Sequence, residues 1–200
     1  MLKKALVVSM LLWLCPAAYA GITGLGFGVH GGIVSGYNNK TLEQSVKDAF
    51  QSFTDFSLSK NMTGIGVHVK VGTLRIIDLD GSLDYAWKKQ TVYQDIDLTY
   101  SIFSATASVR KSIPVGPLGP YIGAGLGLYR SAYSISSGSV MIVLPSDETK
   151  VGYHVKGGLE LNIPMFPLTP FAEFRYSQIQ ASGEAVKFQQ IFAGLTLNLP

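Results

Sequence analysis

A side-chain alternation of period two constrains this chain more than any other feature. From Met62 to Gly72, Ile65, Val67, Val69 and Val71 share one face, and Gly64, Gly66, His68 and Lys70 share the other. From Ile76 to Lys88, Ile77, Leu79, Leu83, Tyr85 and Trp87 alternate with Ile76, Asp78, Asp80, Ser82, Asp84 and Lys88. Between Val151 and Ile163 the apolar set is Val151, Tyr153, Val155, Leu159, Leu161 and Ile163, set against Gly152, His154, Lys156, Gly158, Glu160 and Asn162. The last segment opposes Ile191, Ala193, Leu195, Leu197 and Leu199 to Gln190, Phe192, Gly194, Thr196 and Asn198. Successive side chains of a strand point to opposite faces, so each stretch predicts a strand with one apolar and one polar surface.

Eight strands are predicted in all, at about 22–36, 61–71, 75–89, 94–111, 120–134, 150–163, 170–181 and 185–199. The fourth changes phase: Ile96, Leu98, Tyr100 and Ile102 define one face, and Phe103, Ala105, Ala107 and Val109 the other. A bulge near Ser104 is therefore expected. Each strand is long enough for the roughly 9–11 tilted residues that cross a bilayer, while beyond residue 20 no apolar run approaches the ~20 residues of a spanning helix.

Alternation alone does not say which face is inside. A soluble barrel turns its apolar face inward, and a membrane barrel turns it to lipid. The mid-strand charges decide. His68, Lys70, Asp78, Asp80, Asp84, Lys156, Glu160, Glu173 and Arg175 lie among many glycines, and in a narrow lumen they can pair. The expected fold is all-β, an eight-stranded antiparallel up-and-down transmembrane β-barrel, closed because only closure satisfies every backbone group in lipid. These nine residues form the expected structural charge network. Pairing strands six and seven around the 164–170 turn sets Glu160 opposite or diagonal to Arg175, with Glu173 on the same face.

An internal repeat orders the connections. Ile113 to Tyr121 and Ile163 to Phe171 both read I-P-x-x-P-L-x-P-aromatic, and Gly158–Pro164 partly matches Gly194–Pro200. Proline cannot donate to a ladder, so each copy ends one strand, turns, and begins the next. Three strands thus end on one side, joined by short turns near 72–74, 112–119 and 164–169. The opposite connections include long loops at 37–60 and 135–149, with short ones near 90–93 and 182–184. Short periplasmic turns and long outer loops are the outer-membrane pattern. The first outer loop is expected to hold a short helix. Thr41-x-x-Gln44 makes a capping box, and Leu42, Val46, Ala49, Phe50 and Phe53 share a face expected to pack on the barrel rim, with a lid or a lipid-surface contact as the alternative.

Residues 1–20 carry the pattern of a secretory signal: Lys3 and Lys4, an apolar run from Ala5 to Leu14, and Ala18-Tyr19-Ala20 before the cleavage point. Residues 21–200 then form the single barrel domain. Cys15 suggests a lipoprotein anchor instead, but Trp13 and Leu14 do not make a lipobox. Without Lys3 and Lys4 the formal charge of +3 falls to +1, so no concentrated basic surface points to nucleic acid. A mature chain without cysteine fits a bacterial envelope.

Pro120-Tyr121-Ile122-Gly123-Ala124-Gly125-Leu126-Gly127-Leu128-Tyr129 resembles the opening of a central strand in the small outer-membrane β-barrel superfamily, which includes OmpW-like and OmpX-like proteins and the OmpA transmembrane domain. The resemblance implies roles in envelope integrity, adhesion or small-solute passage. One departure stands out: such barrels commonly finish on an aromatic residue, whereas this chain ends Asn198-Leu199-Pro200.

Other motifs fall to simpler readings. Gly26 to Gly31 fits G-x-G-x-x-G, but inside an alternating strand rather than at a strand-to-helix turn, so no cofactor is expected. His30, His68 and His154 lie on three strands. His30 and His68 can face each other across the first hairpin, yet ligand number and spacing do not support a metal. No His-x-Ser pair suggests a lipid deacylase, and no catalytic residue is expected. The expected partners are outer-membrane lipid and lipopolysaccharide, with a surface ligand conceivable through loops 37–60 and 135–149. A monomer in the outer membrane of a Gram-negative bacterium is expected. The competing functions are a narrow conduit for small solutes and a lipid-modifying enzyme.

Overall fold

A computed structural model describes residues 24–38, 40, 43–44, 47, 59–74, 77–93, 96–113, 115–136, 148–163, 165–180 and 185–199. They form eight strands: β1 Gly24–Ser35, β2 Met62–Leu74, β3 Ile77–Tyr93, β4 Ile96–Ser112, β5 Leu118–Ser136, β6 Glu148–Leu161, β7 Leu168–Ile179 and β8 Val186–Leu199. Each pairs antiparallel with its neighbours in chain order, and β1 pairs with β8 to close the barrel. Among the described residues no helix is long and apolar enough to cross a membrane.

The register fixes the barrel's shape. From Gly28, successive partners are His68, Ser82, Thr106, Gly127, Gly152, Ile179 and Val186. The β1–β8 ladder, which sets Ser35 against Gln189, carries Val186 on to position 38, a stagger of ten residues from Gly28. With about 3.3 Å per residue and about 4.8 Å between strands, eight strands and that stagger tilt each strand roughly 40° from the axis.

The apolar phase faces outward. Val29, Val67, Leu83, Leu126, Val155 and Leu195 are all exposed, while the glycines and charged residues between them point in. Strand β4 corrects one expectation. Its ladders with β3 and β5 run through Ser104 without a bulge, and the irregularities lie at Gly72/Leu74 and Thr91/Tyr93. The apparent phase change has another cause. Leu98, Tyr100 and Ile102 are in phase with Ser104, Thr106, Ser108 and Arg110, all seven being buried in the lumen.

The lumen therefore has two storeys. Toward the rim opposite the termini, Val34, Tyr37, Met62, Ala86, Leu98, Tyr100, Ile102, Tyr129, Ile179 and Phe188 form an apolar plug. Toward the terminal rim the lumen is ionic, so the expected polar interior holds only there. Tyr37 follows Gly36, whose φ of 71° turns the chain inward over the mouth. Its ring stacks on Tyr100 at 6.1 Å, and its amide donates to the Lys60 carbonyl at 3.2 Å. The Tyr100 hydroxyl donates to the Ser59 carbonyl, and the Ser59 amide donates to Gln90 Oε1 at 2.8 Å. Both ends of the first outer loop are pinned. The helix expected within it lies mostly outside the described residues, as do the signal segment and most of the 135–149 loop. The connection expected at 90–93 is instead part of β3.

The repeat acquires a structural meaning. In the β4–β5 turn, Val115 and Leu118 exchange backbone bonds of 2.7 and 3.2 Å around Gly116, whose φ of 62° meets the demand of a primed two-residue turn. The Asn162 amide donates to the Pro117 carbonyl at 2.7 Å, and the Asn198 amide donates to Pro167 at 2.9 Å. Each returning strand thus ties the turn of the hairpin before it.

Candidate functional site

The ionic storey is the one concentration of chemistry among the described residues, and alternation places every member. On β7, Glu173 and Arg175 are two apart and share the lumen face. Arg175 donates through Nη2 to Glu173 Oε1 at 2.8 Å and through Nη1 to Asp84 Oδ2 on β3 at 2.8 Å. From β6, Lys156 Nζ reaches Asp80 Oδ1 at 2.5 Å and lies 3.3 Å from Glu173 Oε2. From β4, Arg110 Nη2 donates to Glu160 Oε1 at 2.6 Å and Nε donates to Asp78 Oδ2 at 3.3 Å. Lys70 on β2 completes this second group, 3.4 Å from Glu160.

Histidines extend the network to β1. Asp84 Oδ1 lies 2.6 Å from His30 Nε2, and an ionised carboxylate only accepts, so this nitrogen carries hydrogen. His30 Nδ1 faces His68 Nδ1 at 3.3 Å, and His68 Nε2 lies 3.0 Å from Thr196 Oγ1. Gly66 makes the first contact possible, because a Cβ there would fall on both His30 Nε2 and Asp84 Oδ1. Gly28, within the G-x-G-x-x-G stretch, likewise leaves room for the His68 ring.

All nine expected network residues face the lumen, but their pairing differs from expectation. Glu160 lies opposite Phe171 and Arg175 lies opposite Lys156, so Glu160 and Arg175 do not meet. Glu160 is held by Arg110 and Lys70 instead. Arg110 and Tyr121 join the network unforeseen, while His30 meets His68 across the first hairpin as the sequence allowed. The Tyr121 hydroxyl donates to Glu173 Oε2 at 2.9 Å, and the Arg110 guanidinium lies 4.5 Å from the Tyr121 ring centroid. The signal for Arg110 is its phase with Ser104, Thr106 and Ser108, opposite Phe103, Ala105, Ala107 and Val109.

The arrangement sets buried charges against one another. Asp84, His30, His68 and Thr196 line up as acceptor, imidazoles and hydroxyl, yet the cavity beside them holds about 10 Å³. A second cavity under the plug is equally small. Ligand pockets run to several hundred Å³, so neither admits more than a water-sized guest. His154 stands apart, with Nε2 2.7 Å from Ser108 Oγ. Among the described residues no group of three or more histidine, cysteine or acidic side chains is placed to hold a metal.

Fold and site together define a closed eight-stranded barrel with a lipid-facing exterior and a filled, ion-paired interior. The chain belongs to the outer membrane protein beta-barrel domain family, whose model matches residues 6–198. Solved structures agree on the fold. Neisserial surface protein A is 18% identical, covering 87% of this chain and 96% of that one, with a TM-score of 0.56. Ail, the attachment invasion locus protein of Yersinia pestis, in complex with the heparin analogue sucrose octasulfate, is 16% identical over 88% and 97% of the two chains, TM-score 0.54. The N-terminal β-barrel domain of Pseudomonas aeruginosa OprF is 12% identical over 90% and 99%, TM-score 0.51. No curated protein matches the chain.

Proposed function

We propose that the protein is a non-catalytic, monomeric structural element of the Gram-negative outer membrane, exported by a signal cleaved after Ala20, that contacts lipopolysaccharide and presents its outer loops to the surroundings. The observation that carries this reading is the sealed bore. Arg175–Asp84 and Lys156–Asp80 span the lumen, the aromatic plug closes one storey above them, and the two cavities beside the ionic storey and under the plug hold about 10 Å³ each; a larger concavity among the described residues, about 1150 Å³, is lined mostly by the outward apolar phase, Val29, Val67, Leu83 and Leu126 among it.

A surface ligand through loops 37–60 and 135–149 belongs to the same reading. The heparin analogue bound by Ail does not transfer easily. In this sequence the loop-side segments carry Lys40, Lys47, Lys60, Lys88, Lys89, Arg130, Lys150 and Lys187 against an equal number of acidic residues (Glu43, Asp48, Asp55, Asp95, Asp97, Asp147, Glu148 and Glu184). Such a balance gives no net field to gather a polyanion.

Conductance in planar bilayers tests the sealed-barrel reading. The folded protein is expected to leave the current at its protein-free baseline, and discrete current steps would overturn the proposal in favour of a conduit. Lipid A from membranes with and without the protein is expected to give the same mass spectrum. N-terminal sequencing of the mature protein is expected to begin at Gly21.

A further inference from the structure

The two proline-bracketed turns at the terminal rim are built unlike turns that face water. No charged residue occurs from Ser112 to Tyr129 or from Leu161 to Ala172. Their tips expose Ile113, Val115, Leu118, Ile163, Met165 and Phe166, with Met165 fully exposed. An isolated apolar side chain at a surface needs no explanation, but two adjacent uncharged clusters do.

The backbone supplies a second, independent observation. Entry into an apolar medium is costly chiefly through amide hydrogens left without acceptors. Each turn carries three prolines (Pro114, Pro117 and Pro120; Pro164, Pro167 and Pro170), which have no amide hydrogen. Among the remaining amides, Ile113 donates to Pro120 at 2.8 Å, Val115 and Leu118 donate to each other, and Phe166 donates to Ile163 at 3.1 Å. Apart from the amides of Gly116, Ile163 and Met165, apolar side chains and spent donors coincide at the same tips.

Position agrees. On β5 the outward phase runs from Leu118 through Leu126 and Leu128 to Arg130, the first outward cation. From Leu118 to Leu128, the last apolar residue before that cation, ten residues at about 3.3 Å, tilted roughly 40°, rise about 25 Å, the height of the apolar band of a membrane barrel. The tips below Leu118 fall at the next layer, where headgroups meet hydrocarbon. They continue the lipid-facing wall, in which Lys111 of β4, exposed and paired with Ile122, is an outward cation whose apolar stem can lie along the wall while its ammonium reaches the headgroups.

We propose that the β4–β5 and β6–β7 tips are interfacial anchors, seated among the phospholipid headgroups of the periplasmic leaflet. They fasten the β4–β7 side of the barrel more deeply than the side bearing the termini. Aromatic and large apolar side chains favour this layer, and the partner is the lipid surface itself.

Tryptophan depth measurement tests it on the full mature chain. Trp87→Phe/Phe166→Trp places a single reporter on one tip, and Trp87→Phe/Val115→Trp places it on the other, so one variant suffices if its sister does not fold. In phosphatidylcholine vesicles the emission is expected at shorter wavelength than in water. Bromines near the glycerol end of the acyl chains should reduce it by about half, as for an interfacial indole, and aqueous iodide should leave it intact. Water-like emission quenched by iodide would overturn the proposal, and would be the result if a periplasmic protein is the true occupant. Protection that appears only in protein-rich vesicles would also overturn it, pointing to a second copy of the chain.

Discussion

Arg175 is the hinge of the ionic storey, because its guanidinium satisfies Asp84 and Glu173 at once while being 2% exposed. Removing one member of a buried pair leaves a charge without compensation, so Arg175→Ala is expected to cost about 3–5 kcal/mol in urea unfolding from vesicles. A double-mutant comparison separates the two groups of the network. Arg110→Ala and Glu160→Gln should be strongly non-additive, since they are bonded at 2.6 Å, whereas Arg175→Ala and Glu160→Gln should add. Gly66→Ala is expected to cost about 1–3 kcal/mol, because a methyl there displaces the His30–Asp84 contact. Every charged member of the polar phase named from the sequence faces inward, as alternation requires, and Arg110 is the one member not named there. The partners were not legible. Lys156 meets Asp80 across the bore, 76 residues away, and that pairing follows from the stagger of the whole barrel rather than from any hairpin.

At the scale of elements, β4 shows where sequence reading ran out and why. A strand whose inner face is polar over half its length and apolar over the other half mimics a phase slip. The missing information was that the lumen has a hydrophobic storey, which no single strand reveals. Tyr37 caps that storey. Tyr37→Ala is expected to cost about 3 kcal/mol through the cavity it leaves, while Tyr37→Phe should cost under about 1 kcal/mol, its hydroxyl contacts to Tyr133 and Ser131 being long at 3.3 and 3.4 Å. Both are measured by the same unfolding transition. In the β4–β5 turn, Gly116→Ala should cost about 1 kcal/mol, because a side chain is strained at φ 62°. The proline repeat was visible from the sequence, but not the bonds from Asn162 and Asn198 that explain its third, partial copy.

For the whole molecule, strand number, closure and the outward turn of the apolar phase were all readable, because lipid leaves so few solutions to backbone hydrogen bonding. Leu126→Arg, on the lipid face, is expected to cost about 2–4 kcal/mol in vesicles and to have little effect if the same face met water. The ten-residue stagger has a further consequence. With strand number and shear both locked by ladders whose two register shifts lie only at hairpin ends, the bore has a single permitted width, and no rearrangement of the outer loops can enlarge it. Anything that passes must do so by evicting side chains already in residence, so a leaky variant of this barrel will be made by subtraction from its interior and never by loosening its wall.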